Sequence, residues 1–519
     1  MAEKLLYPIS NQTFEKIRST GRVYVDKTEY IHKLLEYSDY VFLSRPRRFG
    51  KSLLLSTFEA YFRGKRELFK GLAIDRLEAG DWEEFPVIHL DLSKGNYPDT
   101  DALQDTISSL LAPYEEEYGL MGNDCTLSIR LDSLVRKMHR TKGKNVVVLI
   151  DEYDSPLTQN IKNPDLLEEM RRVLHAFYAT LKSLDPYIRF CMLTGVTKYG
   201  KMSIFSGMNN LRDISFLNEY AAICGITDAE LHSTLHAGVE EFAAAKRIEI
   251  NEAYHMLKSN YDGYHFSRDM TDIYNPYSLL NALSDKEISN YWFETGTPTM
   301  LVRVLEGLDM DIESLDGAEA SVRELNNIYT PSMRPLALFY QSGYLTLKSY
   351  DAEDDAFTLG FPNHEVRQGF MQALLTIYTD NDDSDSFIRH MRRYLRKGEC
   401  LDFIQLLRSY LADIPFDLRK RVAKYENYYH AIFYSIFYLI GTDVKAEYHT
   451  SQGSIDLVVK TADFIYIIEL KINGNASEAI AQIKANGYAT PFANDSRTTI
   501  CIGLGFSKQS HTIDSYEIL

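Results

Sequence analysis

Four short apolar runs stand out in the first 200 residues: VFLS at 41–44, VIHLDL at 87–92, VVVLID at 146–151 and FCMLTG at 190–195. Amphipathic segments of helical period separate them, and buried strands alternating with helices predict a parallel α/β sheet. From Thr227 the period turns helical. Thr227-Asp228-Ala229-Glu230 has the spacing of a capping box, which satisfies the backbone N–H groups at a helix start. Acidic stretches at 309–319, 351–355 and 380–385 read as solvated loops or linkers. Further on, a helical pattern at 426–441 precedes two strand patterns, SIDLVVK at 454–460 and FIYIIELK at 464–471, and a second helical pattern follows around 481–484. The patterning divides the chain into an α/β domain at 1–225, a mostly helical lid or middle region at 226–400 and a last domain at 401–519.

A length of 519 residues exceeds what one core usually organises, in keeping with several domains. The 45% hydrophobic and 25% charged composition is that of a folded globular chain. No apolar run reaches the ~20 residues of a membrane span, and the start MAEKLLYPIS lacks a secretory pattern, so a cytoplasmic protein with no membrane contact is expected. Five scattered cysteines without a CxxC pair suit neither a zinc site nor a disulfide framework. The net charge of −17 argues against broad, sequence-blind nucleic-acid binding and leaves only local basic patches for that task. One such patch is Arg389, Arg392, Arg393, Arg396 and Lys397, followed by Arg419, Lys420, Arg421 and Lys424; a solvated helix face is the competing explanation.

Chemistry enters with Pro46-Arg47-Arg48-Phe49-Gly50-Lys51-Ser52-Leu53, set between the first strand pattern and the helical LLLSTFEAYF. A Gly-Lys-Ser turn at that junction is the context of a phosphate-binding loop. Gly50 lets the backbone approach, Lys51 reaches the β and γ phosphates, and Ser52 holds Mg²⁺. Arg45 occupies the position of the motif's first glycine, which weakens the motif taken alone. The run ending in Asp151 and Glu152 supplies the second half: Asp151 to hold the metal through water, Glu152 to orient or deprotonate the attacking water. Thr194, at a neighbouring strand end, is a candidate γ-phosphate sensor, and Arg47 and Arg48 are candidate phosphate or partner contacts. No guanine-reading motif is present, so ATP is the expected nucleotide.

In the last domain, a four-residue loop at 461–464 would set Asp456 opposite Glu469, with Lys471 on the same face. Two adjacent carboxylates repel without a cation between them, and oxygen ligands favour Mg²⁺ or Mn²⁺. Phosphodiester hydrolysis uses that arrangement, with Lys471 positioning water. Glu426 and Gln482, on the flanking helices, are softer candidates for the same site.

TFEKIRSTGRVYVDKTEYI, LSRPRRFGKSLLLSTF, VVLIDEYDSPL, LTGVTKYGKMSIFSGMNNLRDIS, YDGYHF, YNPYSLLNAL, YQSGYLTL and the terminal IDLVV, YIIELK and AIAQIKANGYA follow one another along nearly the whole chain. In this order they resemble the bacterial predicted AAA-ATPase-like proteins that carry a carboxy-terminal PD-(D/E)XK nuclease superfamily domain. The resemblance implies a P-loop NTPase sheet with a helical lid, followed by a restriction-endonuclease-like αβββαβ domain. It also implies an arginine-rich P-loop in which Arg45 is no defect. One departure is Gly453-Ser454-Ile455-Asp456, where the family pattern leads to an arginine at Ser454. The expected function is an ATP-binding and hydrolysing, metal-dependent DNA nuclease whose nucleotide state regulates nucleic-acid access or cleavage; RNA stays open as a substrate, and a homo-oligomer is a candidate assembly. A nucleotide-dependent switch with a non-cleaving nuclease-like domain is the alternative.

Overall fold

The computed structural model describes residues 5–9, 11–78, 80, 82–120, 125–161, 163–198, 204–205, 208, 210–296, 312–326, 335–381, 383–415, 425–441, 445–451, 454–507 and 509–519, with backbone alone at 296, 313, 425–427, 445–451 and 454–456. The chain folds as two compact units: residues 1–300 with 317–366, and residues 301–316 with 367–519.

In the first unit, strands β1 (Tyr40–Ser44), β2 (Val87–Asp91), β3 (Val146–Asp151), β4 (Ile188–Gly195) and β5 (Arg212–Asp213) form one sheet in the order β2-β3-β4-β1-β5. Every pairing is parallel. The four apolar runs are its four long strands, as the alternating pattern predicts. They read as continuous apolar runs because helices cover both faces of the sheet. Residues 146–150 of β3 are wholly buried, and each such side chain stabilises by roughly 1.5–3 kcal/mol. Helices Thr100–Glu117, Leu127–Lys142 and Pro164–Ser183 share their core with the strands, while Phe58 of helix α1 (Lys51–Phe62) stacks on Phe190 of β4 at 5.0 Å. Because β4 lies between β1 and β3, the chain segments leaving all three strands gather at one edge of the sheet. In open parallel sheets ligands bind at that carboxyl edge.

Thr227 opens helix Asp228–Ser233 with the capping box in place: its hydroxyl accepts the Glu230 N–H at 3.3 Å, and the Glu230 carboxylate accepts the Thr227 N–H at 2.8 Å. The same carboxylate pairs with Lys27 Nζ at 2.6 Å, tying this helix to the amino-terminal segment. Helices His236–Lys246, Ile250–Tyr261 and Pro276–Asp285 enclose a second apolar core. The stretch expected to be mostly helical also holds a three-stranded antiparallel sheet of Glu319–Ser321, Ala356–Gly360 and Thr346–Asp351. Ala352 and the acidic Glu353, Asp354 and Asp355 make the turn between its two longer strands.

The second unit carries helix α2 (Ser384–Lys397), helix Cys400–Ala412 and helix α3 (Tyr425–Gly441). Strands β6 (Lys445–Ser451), β7 (Ser454–Lys460) and β8 (Phe464–Ile472) follow, then helix α4 (Ala476–Ala485), β9 (Thr498–Ser507) and β10 (Thr512–Ile518). From α3 to β9 this is the expected αβββαβ order, with β10 added at the edge. The sheet runs β6-β7-β8-β9-β10, antiparallel except for β8 against β9. Among the described residues no helix is long and apolar enough to cross a membrane.

Candidate functional site

At the end of β1, Ser44 is held by Ser215, whose hydroxyl accepts the Ser44 N–H at 2.9 Å. The chain then turns through Pro46–Phe49 and enters α1 at Lys51. Gly50 makes the turn with φ 94°, a left-handed conformation that a Cβ would strain. Lys51 is buried, its Nζ 3.1 Å from the Arg45 carbonyl, 3.2 Å from that of Pro46 and 3.2 Å from Glu152 Oε1. Ser52 and Leu53 follow in the first helical turn, both half-buried. Three braces fix the loop from residues far away in sequence. Trp292 Nε1 donates to the Arg47 carbonyl at 3.0 Å, Phe49 meets Tyr264 edge-on at 4.8 Å, and the Arg48 guanidinium lies over the Tyr277 ring at 4.9 Å. Arg47 and Arg48 are exposed.

Arg45 points the other way. It is 1% exposed, and its guanidinium donates to the carbonyls of Ser44 and Ser215, each at 2.9 Å, and of Tyr220 at 3.0 Å, while lying over the Phe266 ring at 4.2 Å. Burial pulls its pKa down. Its place is structural: it joins the loop to the chain beyond β5, where a glycine could make no such tie.

At the ends of β3 and β4, the Thr194 hydroxyl donates to Asp151 Oδ1 at 2.5 Å, and the Glu152 N–H donates to the same oxygen at 3.0 Å. Glu152 takes a positive φ of 50°, uncommon for a residue with a Cβ, and this aims its carboxylate at Lys51. Burial pushes the Glu152 pKa up, Lys51 draws it back, and the charges of Asp154 and Asp151 push it up further. Asp154 is 1% exposed and accepts the N–H and hydroxyl of Thr197 at 2.7 and 2.6 Å. Gly195 passes so close that an added Cβ would lie 2.5 Å from Asp154 Oδ1. Beside Gly50 and Leu53, an apolar pocket is lined by Val23, Val25, Ile226 and Leu280 among others.

In the second unit, the β7–β8 register sets Asp456 directly opposite Glu469, and the turn closes with the Thr461 N–H donating to the Phe464 carbonyl at 2.8 Å. Glu469 is completely buried. One of its oxygens accepts from Lys471 Nζ at 2.8 Å, while Oε2 has no partner among the described residues. Lys471 Nζ also donates to Gln482 Oε1, which links α4 to β8. Glu426 stands in the first turn of α3, but its side chain, like that of Asp456, lies outside the described residues.

Residues 8–205 match the family of predicted AAA-ATPases, and residues 424–516 match the PD-(D/E)XK nuclease superfamily. The "Uncharacterized protein in vnfD 5'region" of Azotobacter chroococcum mcd 1 is 34% identical over 529 residues, covering 100% of this chain and 99% of that one. The chain belongs to this predicted AAA-ATPase family with a carboxy-terminal PD-(D/E)XK domain.

The contacts give a place to two motifs that spacing alone left without a task. In this AAA-ATPase-like protein, Tyr264 and Phe266 of YDGYHF support Phe49 of the loop, and Tyr277 of YNPYSLLNAL supports Arg48. Three buried groups escaped the reading of the sequence. Asp154 holds the chain after β4, Lys198 Nζ pairs with Asp213 at 2.9 Å and Asn326 at 2.7 Å, and Glu365 accepts the Trp292 N–H at 2.6 Å. Asp154 and Lys198 sit inside quoted motifs, which was the available signal. Glu365 had none, since an acidic residue at a helix start usually faces water.

The donor sets suit the ligands such a family implies. Ser52 and Asp151 carry hard oxygen groups of the kind that Mg²⁺ accepts alongside water and phosphate, and Glu469 Oε2 is a buried carboxylate oxygen without a partner among the described residues. Among the described residues no cluster of three or more His, Cys, Asp or Glu could hold a metal by itself.

Proposed function

We propose that the chain is an ATP-regulated, Mg²⁺-dependent DNA nuclease, with nucleotide handled at residues 46–53, Asp151, Glu152 and Thr194, and phosphodiester cleavage at Asp456, Glu469 and Lys471. The observation that carries this reading is the β7–β8 register opposing Asp456 and Glu469, beside a Lys471 already anchored by Glu469 and Gln482.

At the first site, Lys51 and Glu152 neutralise one another without ligand. Arriving γ phosphate competes for the Lys51 ammonium, and Glu152, freed and raised in pKa by burial, becomes a base for the attacking water. Thr194 orients Asp151 through its 2.5 Å hydrogen bond, and the apolar pocket beside Leu53 suits a nucleobase. Magnesium would supply charge neutralisation at the phosphates, held by Ser52 and Asp151, and at the scissile phosphodiester, held by Asp456 and Glu469. Lys471 positions water at the second site, and Gln482 holds Lys471.

The test is purified protein with supercoiled and linear DNA, with Mg²⁺ or Mn²⁺, with and without ATP, alongside Asp456→Ala and Lys51→Ala. Cleavage lost in Asp456→Ala supports the nuclease, and cleavage that requires both ATP and Lys51 supports coupling. Ser454, where the family pattern has arginine, favours the second reading, a nucleotide-dependent switch that does not cut. ATP binding without cleavage under every condition would replace the nuclease with that switch.

A further inference from the structure

Helix α2, Ser384–Lys397, precedes the segment matched to the nuclease superfamily, yet belongs to the same compact unit. Its apolar side chains Phe387, Ile388, Met391 and Leu395 are buried, and the Leu395 carbonyl accepts the Tyr466 hydroxyl of β8 at 2.6 Å. Arg392 also turns inward and donates to the Leu439 carbonyl of α3. The rest of the basic run does not. Arg389, Arg393 and Arg396 are exposed, and none has a hydrogen-bond or ion-pair partner among the described residues. At 100° per residue, positions 389, 393 and 396 fall within a sector of about 60° and extend over about 10 Å of helix.

From 386 to 398 the chain contains no acidic residue, in a protein with 73 Asp and Glu against 56 Lys and Arg. Attraction to the helix dipole accounts for cations in the last turn, where Arg396 and Lys397 sit, but not for Arg389 and Arg393. Solvation alone would be served by mixed charges, as on most exposed helices of an acidic chain.

We propose that Arg389, Arg393 and Arg396 form a stripe that grips the phosphate backbone of duplex DNA. The choice of partner rests on the nuclease reading of the same unit. One DNA strand presents a phosphate every 3.4 Å or so along the axis, so about 10 Å of helix meets roughly three phosphates. Guanidinium groups suit that task because they bind phosphate oxygens bidentately. A lipid surface fits less well: the helix keeps its apolar face inside the protein and offers none for insertion. The stripe reads no bases; it positions the duplex, as backbone contacts do.

The test measures binding of the full-length protein to a fluorescein-labelled duplex of about 30 base pairs by anisotropy, in EDTA, across roughly 50 to 200 mM salt. The triple variant Arg389→Gln, Arg393→Gln, Arg396→Gln is expected to bind at least tenfold more weakly, with the slope of log affinity against log salt reduced by about 2 to 3. The corresponding triple lysine variant is expected to stay within about threefold of the parent, and ATPase turnover and melting temperature to stay unchanged in both. A glutamine variant with the parent's affinity and slope overturns the proposal, as does a parent that binds no duplex. Mg²⁺-dependent cleavage of the same duplex separates the two ideas. Cleavage with stripe-independent binding removes the stripe alone, and stripe-dependent binding without cleavage removes the nuclease alone.

Discussion

Arg45, Glu152 and Lys51 lie close together in the first unit and do three different things. Arg45 spends its guanidinium on main-chain carbonyls, Lys51 holds a carboxylate, and Glu152 is kept partly buried in a left-handed turn. Glu152→Gln is expected to keep ATP affinity within about threefold, because the amide can still accept from Lys51, while steady-state hydrolysis falls 10²-fold or more (roughly the contribution of a general base). Turnover equal to the parent would remove Glu152 from the chemistry. Arg45→Ala is expected to lower stability by about 3 kcal/mol, since it leaves buried carbonyls unpaired and opens a cavity. A melting temperature within 1 °C or so of the parent would show that water replaces the guanidinium without loss. The types and spacing of Lys51, Asp151 and Glu152 were legible in the sequence. The inward turn of Arg45 was not, because its acceptors come from residues 215 and 220, about 170 positions away.

Among the elements, helix His364–Thr379 places Glu365 in its first turn, where the buried carboxylate accepts the N–H of Trp292 and Trp292 in turn donates to the Arg47 carbonyl. Burial pushes the Glu365 pKa up from 4.5 to about 7, offset in part by Ser278 and the N–H groups of Trp292 and Phe293. The folded state therefore binds this proton more tightly than the unfolded chain. The stability it contributes is fully present below pH ~4.5 and is lost as pH rises through about 7, up to roughly 3 kcal/mol. Glu365→Gln is expected to flatten that fall, so that its melting temperature gains on the parent's between pH 5 and pH 8. Parallel profiles would mean that Glu365 is ionised throughout. The four long strands of the first sheet were readable from the sequence, since each is a largely apolar run between helical patterns. The small antiparallel sheet at 319–360 was not, because strands such as Thr346–Asp351 mix polar and charged positions with apolar ones and lie among helical segments.

At the level of the whole molecule, the two units have separate apolar cores and distinct candidate sites. Calorimetry is expected to resolve two transitions. Mg²⁺-ATP at about 100 times its Kd should stabilise one of them by about 2.7 kcal/mol, and Lys51→Ala should abolish that shift. A single transition that moves as a whole would mean that the units unfold together.

By itself the sequence determined the alternating elements of the first sheet, the αβββαβ order of the last domain, the candidate nucleotide loop with its paired acids, and the pairing of Asp456 with Glu469. These follow from local rules: apolar period, cap and turn chemistry, and the two-residue repeat of a strand. Only the tertiary structure decided that Arg45 faces inward, that Trp292 and Glu365 brace the loop, that Glu469 Oε2 is buried with no partner among the described residues, and that Arg389, Arg393 and Arg396 face solvent while Arg392 does not. Each of those depends on which distant surfaces meet. Burial and hydrogen bonding between residues far apart in the chain leave no periodic trace in it.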